Sequence, residues 1–269
     1  MAWSITSPAD GCAWVTGASS GIGRAVAIRL AREGWTVAAS ARREEELQEL
    51  CASASRLKGR IVAYPLDIGN KDAVRKTVEE IEAQTGPIAL ALLNAGVYIP
   101  VDGLNLDVTA FEKSFGINVL GTVYCLAAVI ENYIARRKGH VALVSSVTGY
   151  GGLPTSAAYG ATKAALINMA ETLEIELQPV GIRVTIVNPG FVDTPAQDEL
   201  DFPKPFMVSE EVAARRIVSG LKAGKFEISF PRRFTFLLKF LNNFVPKPLY
   251  LNWIRSQTGW DKRNSQKTE

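Results

Sequence analysis

Short apolar runs alternate with longer, mixed runs along the chain. The apolar runs are CAWVT (12–16), WTVAAS (35–40), IVAYPLD (61–67), IALALLN (88–94), HVALVSS (140–146), IRVTIVN (182–188) and FEISF (226–230). Each has strand length and is apolar almost throughout, as strands are when both faces of their sheet are covered. Helical character marks 21–33 before a stop at Gly34, a charged stretch from about Arg43, 109–137, and 157–177. Ser209 opens a further helix, with Glu210 and Glu211 in its first turn. The alternation predicts an α/β fold: one doubly wound domain on a seven-stranded, mostly parallel sheet with helices on both faces. Ligands of such sheets sit beyond the carboxyl ends of the strands. The loops to read are therefore 17–23, 41–43, 67–68, 94–99, 146–156 and 189–208.

Composition narrows the picture. With 269 residues, 47% of them hydrophobic and 21% charged, the chain suits a single globular domain. A net charge of +3 is too small to point to nucleic acid. Cys12, Cys51 and Cys125 form no CxxC or zinc-like spacing and read as reduced thiols. His140, the single histidine, reads as a strand-edge residue, and no metal site is expected. The start, MAWSITSPADG, lacks a basic segment followed by a long apolar one, and no uninterrupted apolar run is long enough to span a bilayer. The expected location is cytoplasmic.

Directly after the first strand comes Thr16-Gly17-Ala18-Ser19-Ser20-Gly21-Ile22-Gly23, followed by Arg24. Glycines there permit positive φ and close backbone approach, and the helix that starts at the loop offers free N–H groups to a phosphate. The spacing TGxxxGxG differs from GxGxxG, and no Gly-Lys-Ser/Thr follows, so it is not a P-loop. Dinucleotide enzymes that take NAD place an acid at the end of the second strand. Here that strand ends Ser40-Ala41-Arg42-Arg43. An arginine suits a 2′-phosphate, which favours NADP(H), with Arg42 the main determinant and Arg24 within reach. The alternative is that Arg42 and Arg43 are solvated helix-start residues.

Tyr159-Gly160-Ala161-Thr162-Lys163 puts a phenol and an ammonium at i and i+4, on one helix face. A nearby ammonium lowers a phenol's pKa and suits it to proton transfer with a carbonyl or alcohol. Alone, the pair is little better than chance. Ser146, thirteen residues earlier at the end of the fifth strand, can hold a substrate oxygen beside the phenol. Asn118, between Gly116 and Gly121, is unusual for a helix interior and marks a place where the helix can kink and free a carbonyl for water.

Taken together, TGASSGIG (16–23), Asp67, Asn94-Ala95-Gly96, Asn118, Ser146, Tyr159-x-x-x-Lys163 and Asn188-Pro189-Gly190 resemble the short-chain dehydrogenase/reductase family, in family order and spacing from about residue 10 to 230. The resemblance implies a Rossmann-type domain and an NADP(H)-preferring carbonyl reductase. It implies that the glycine loop, with Gly17, Ser19, Ser20, Gly21, Ile22 and Gly23, holds the cofactor. Asp67 and Ile68 would contact adenine, and Asn94, with Ala95 and Gly96, would lie by the adenosine ribose. Pro189, Gly190, Val192 and Thr194 would line the nicotinamide. Tyr159 would be the proton donor or acceptor, and Lys163 would bind the nicotinamide ribose and lower the Tyr159 pKa. Ser146 would polarise the substrate carbonyl, and Asn118 would hold a relay water. It also implies a homodimer through 109–137 and 157–177, with a tetramer possible as well.

The substrate-side loops carry Val97, Tyr98, Ile99, Tyr150, Leu153, Pro154, Phe191, Phe202, Phe206 and Met207, and 195–208 resembles the family's substrate lid. An apolar wall of this kind points to a lipophilic ketone, aldehyde or secondary alcohol, with Tyr98, Leu153, Phe191 and Phe206 against it. Equally, these residues can serve only to pack the lid onto the core. A narrower enzymatic alternative is a 3-oxoacyl or 3-keto-lipid reductase. A regulator that binds NADP without catalysis is disfavoured, because Ser146, Tyr159 and Lys163 are all present. Beyond the catalytic domain (1–231), the segment 232–269 adds a C-terminal helical extension: Phe234, Leu237, Leu238, Leu241 and Phe244 follow helical spacing. Between Lys225 and Arg255 six basic residues face one acid. Packing on the domain or on a partner subunit is favoured over peripheral membrane contact through 232–256.

Overall fold

The computed structural model describes residues 6–194 and 204–260. The first half runs β1 (Cys12–Thr16), α1 (Gly21–Arg32), β2 (Thr36–Ala41), α2 (Glu44–Ser53), β3 (Arg60–Pro65), α3 (Lys71–Thr85) and β4 (Ile88–Leu93). Next come α4 (Val108–Phe115), a π-helical segment (Gly116–Gly121), α5 (Thr122–Arg136), β5 (Gly139–Val144), α6 (Ala157–Leu177), β6 (Ile182–Pro189), α7 (Glu210–Lys222) and β7 (Glu227–Phe230). Two helices follow, α8 (Arg232–Phe244) and α9 (Lys247–Gln257). The seven strands form one sheet in the order β3-β2-β1-β4-β5-β6-β7, every pair parallel. The seven predicted strands are the seven observed, and helices cover both faces.

Strand periodicity divides the core. Along β1, Ala13 and Val15 join α1, α2 and α7 on one face, through Val26, Leu30, Leu47 and Ile217. Cys12 and Trp14 join the other face, with Val74, Cys125, Val129 and Leu166. The order reverses at β1: β2 lies on one side and β4 on the other. That reversal opens the crevice in which such sheets bind ligands.

Three features differ from the sequence reading. Helix α3 was not among the predicted elements, because its mean hydropathy is low. Yet Val74, Thr77, Val78 and Ile81 fall on one buried face, and the Asn70 side chain caps the helix by accepting from Ala73 N at 3.0 Å. The run Val108–Arg136 is long and apolar enough to cross a membrane by composition. Its Cys125, Val129 and Tyr133 nonetheless pack on the sheet. His140 is no edge residue. It lies in β5, between β4 and β6, and is fully buried. The Thr185 hydroxyl donates to the Lys225 carbonyl (2.8 Å), so His140 Nε2 donates to Thr185 Oγ1 (2.9 Å).

Of the 195–208 stretch, residues 195–203, including Phe202, lie outside the described residues. Val208 bridges to Val192 in parallel. The C-terminal extension packs on the domain through Leu238, Tyr250 and Ile254, which cluster with Val147 after β5.

Burial, with Arg183 nearby, pushes the His140 imidazole down to about 3. The folded protein therefore holds it neutral while the unfolded chain protonates it below about pH 6.5. Between those values the unfolded state binds more protons, so this contribution to stability is lost as pH falls. We expect urea unfolding free energies of wild type to drop faster than those of His140→Leu between pH 6 and 4, by up to about 1.4 kcal/mol per pH unit. Parallel acid limbs would contradict this.

Candidate active site

The carboxyl ends of β1, β2, β4, β5 and β6 open onto one cavity of about 550 Å³. At its β1 end lies the glycine loop. Gly17 has φ 66° and Gly21 φ 59°, conformations that disfavour other residues. Gly23 does different work from the contact expected of it. It does not line the cavity; a Cβ there would fall 2.2 Å from the Gly17 carbonyl oxygen, so its bare backbone lets α1 close against the loop. Ser20, the N-cap of α1, makes no side-chain cap bond, which leaves the first N–H groups of the helix directed at the cavity mouth.

β2 delivers Arg42 and Arg43 to the same end, and both line the cavity. Arg43 Nη2 donates to Ser19 Oγ (3.0 Å) and Ser20 Oγ (3.1 Å), and its Nη1 pairs with Glu46 at 3.0 Å. The sequence reading stressed Arg42; Arg43 is the arginine whose bonds fix it over the glycine loop. Arg24 does not line the cavity and instead acts on Glu210 of α7. Asp67 and Ile68 line the cavity after β3, where Asp67 Oδ1 accepts from Gly69 N at 2.9 Å.

The loop after β4 is held by its neighbours. Thr16 Oγ1 accepts from Asn94 N (3.0 Å) and Ala95 N (3.1 Å), and Asn94 Nδ2 donates to the Thr16 carbonyl (3.1 Å). Thr16, which opens the glycine motif, thus anchors the loop after β4. Gly96 passes so close to Asn118 that a Cβ would sit 3.0 Å from its Oδ1.

Asn118 is fully buried in the π-helical segment and does not line the cavity. Its Oδ1 accepts from Val97 N (2.8 Å), and its Nδ2 donates to the Val97 carbonyl (2.9 Å) and to Thr162 Oγ1 (3.1 Å). The sequence reading expected a kink that frees a carbonyl for water. The irregularity is a π turn, and the Asn118 carbonyl accepts from the Thr122 hydroxyl at 2.8 Å. Asn118 thus clamps the loop after β4 to α6.

Ser146, Tyr159 and Lys163 meet on the β5 side. Ser146 follows β5; its Oγ accepts from Thr148 N at 3.2 Å, and its side chain is near enough to the Tyr159 hydroxyl to favour the phenolate. Lys163 is buried, with Nζ donating to the Val144 carbonyl (2.9 Å) and lying 5.4 Å from the Tyr159 ring centroid. The Ser145 hydroxyl donates to the Lys163 carbonyl at 2.7 Å, tying α6 to the strand end. Tyr98 stands edge-on to Tyr159, with centroids 5.2 Å apart.

Burial moves both groups toward neutrality. It pushes the Tyr159 phenol up to about 12, and the nearby Ser146 side chain pulls the other way. It pushes Lys163 down to about 8. Loss of water around the phenol is the largest cause of its shift, and the Lys163 ammonium lies beside the ring. Near neutral pH the phenol is protonated and can act as an acid.

Pro189 at the end of β6 and Gly190, Phe191, Val192 and Thr194 after it line the cavity, as do Tyr98 and Leu153. Phe206 does not line the cavity. It is exposed, and its ring lies 5.8 Å from that of Phe234.

Comparison with known proteins places this arrangement. The family model described as short chain dehydrogenase matches residues 11–203. An uncharacterized oxidoreductase of Myxococcus xanthus is 34% identical over 238 residues, 88% of this chain and 94% of the relative. The 3-oxoacyl-(acyl-carrier-protein) reductase FabG of Thermotoga maritima is 33% identical over 186 residues, 69% of this chain and 76% of that one. Among solved structures, an alcohol dehydrogenase from Thermococcus sibiricus complexed with 5-hydroxy-NADP superposes with a TM-score of 0.74 at 24% identity, covering 81% of this chain and 95% of that chain. At that identity the likeness speaks to the fold.

The Asn118 clamp carries a stability cost if broken, because its removal leaves the Val97 N–H and carbonyl without partners. Asn118→Ala is expected to lower the unfolding free energy by roughly 2–4 kcal/mol in a urea titration. A change below about 0.5 kcal/mol would show that the clamp is dispensable.

Proposed function

The chain belongs to the short-chain dehydrogenase family and is an oxidoreductase acting on CH–OH donors, and from that premise we propose an NADP(H)-dependent enzyme whose other substrate is a lipophilic ketone, aldehyde or secondary alcohol. One observation carries this reading. Ser146, Tyr159 and Lys163 border the same cavity as the glycine loop and the paired Arg42 and Arg43.

The residues present fit a dinucleotide. The open N-terminus of α1, with Ser19, Ser20, Gly21 and Ile22, suits the pyrophosphate. Arg42 and Arg43 suit a 2′-phosphate, and no carboxylate stands at the end of β2 to take a 2′-hydroxyl instead. Asp67 and Ile68 would border the adenine and Asn94 its ribose. Lys163 would bind the nicotinamide ribose, and Gly190, Val192 and Thr194 would line the nicotinamide. The alcohol dehydrogenase of Thermococcus sibiricus, similar in fold, is complexed with 5-hydroxy-NADP. When bound, the nicotinamide supplies or accepts the hydride.

The chain's own part is orientation and proton transfer. Ser146 holds the substrate oxygen. Tyr159, kept protonated by burial, gives its proton to that oxygen during reduction and takes it back in the reverse direction. The Lys163 ammonium, held by the Val144 carbonyl, offsets the charge of the phenolate left behind. Asn118 positions α6 through Thr162 rather than touching the reacting atoms. A second reading, a 3-oxoacyl reductase, draws support from the similarity to FabG. A higher kcat/KM on 3-oxoacyl thioesters than on free hydrophobic ketones would favour it. For the assembly we infer a homodimer through the outer faces of α5 and α6, where Ile134 and Ile175 are exposed.

Tyr159→Phe should lose at least about a hundredfold in kcat for ketone reduction while binding NADPH nearly as well as wild type; turnover near wild type would refute the role of Tyr159. In fluorescence titrations wild type should bind NADPH more tightly than NADH. Arg42→Ala and Arg43→Ala should each weaken NADPH binding about tenfold or more and leave NADH binding little changed. Equal wild-type affinities would overturn the cofactor assignment.

A further inference from the structure

Helix α8 has two apolar faces. Its inner face buries Thr235 and Leu238, with Phe234 and Leu241 packed beside them. Its outer face carries Phe236, Phe240 and Phe244 at i, i+4 and i+8, with 72%, 47% and 75% of their surfaces exposed. Their rings follow one another as a ladder, with centroids 6.4 and 5.3 Å apart. Leu237, Leu249 and Leu251 add exposed apolar surface on α8 and α9. Single exposed apolar residues are common; a contiguous aromatic ladder marks an interaction surface.

Charge indicates what covers it. From Arg232 to Trp260 there are five Lys and Arg and no Asp or Glu. Arg232 and Arg233 are exposed in the first turn of α8, on the same side as Phe236. Lys239 is turned inward instead: it pairs with Glu227 and lies over the Tyr150 ring at 4.7 Å. Aromatic side chains beside exposed basic ones such as Arg232 and Arg233 are the composition of a helix lying in the interface of an anionic bilayer. Exposed Arg232 and Arg233 beside the ladder, in a stretch with no acidic residue of its own, suit a surface of uniform negative charge better than the mixed charges of a protein partner.

We propose that α8 and α9 form a docking face for an anionic phospholipid bilayer. Phe236, Phe240 and Phe244 enter the interface, and Arg232 and Arg233 face the lipid phosphates. The face adjoins the active site. Phe234, on the inner side of α8, lies 6.1 Å from Phe191, which lines the cavity. Docking therefore brings one wall of the cavity next to the membrane. The inference goes beyond the reaction proposed above and does not depend on it.

The test is co-sedimentation of the full chain with vesicles of phosphatidylcholine alone or mixed with phosphatidylglycerol. Wild type should sediment with the anionic vesicles, far less with the neutral ones, and be released as salt rises. F236S/F240S/F244S changes exposed residues only and should keep the wild-type melting temperature while binding at least about tenfold more weakly. R232E/R233E should weaken binding by a similar factor without altering turnover of a water-soluble ketone. No sedimentation with anionic vesicles, equal sedimentation with both kinds, or unchanged binding by the variants would overturn the proposal. So would a wild-type oligomer, seen by light scattering, that the triple serine variant dissociates, because the ladder would then be a subunit contact.

Discussion

The site rests on the way α6 is tied to the end of β5. A buried ammonium needs a partner, and Lys163 finds it in the Val144 carbonyl, the last of the strand. The Ser145 hydroxyl returns the tie by donating to the Lys163 carbonyl. The approach is close enough that a Cβ on Gly149 would meet the Lys163 backbone at 2.9 Å. These contacts set where the first turn of α6 stands, and so where Tyr159 meets Ser146.

Asn118 extends that tie to the next loop. From a π turn it satisfies both polar groups of Val97 and reaches Thr162 on α6. Loop, π turn and helix are therefore bonded to one another through a single side chain. The same enclosure that orients the side chains also tunes them. Removing water raises the phenol and lowers the ammonium, so one cause keeps Tyr159 protonated and brings Lys163 to about 8.

The C-terminal helices are at once wall and surface. Leu238, Tyr250 and Ile254 close over Val147, the residue after Ser146, and Phe234 backs the cavity at Phe191. Their outer side keeps its aromatic ladder exposed. A helix with only one apolar face would have sufficed for packing.

The seven strands, the glycine loop and the Tyr159–Lys163 pair were legible in the sequence because each is a local pattern: an apolar run, a fixed spacing, an i,i+4 pair. Helix α3 obeys the same periodicity, yet its charged composition hid Val74, Val78 and Ile81. What only the tertiary structure decided is how distant segments meet. It placed Arg43 over Ser19 and Ser20 and left Arg24, Gly23, Asn118 and Phe206 out of the cavity lining. It also buried His140 between neighbouring strands and took water away from the Tyr159 phenol. Spacing along a chain reports which side chains share an element and a face. Depth, and the partner that a side chain meets across the fold, depend on packing between elements, and desolvation is a property of that packing alone.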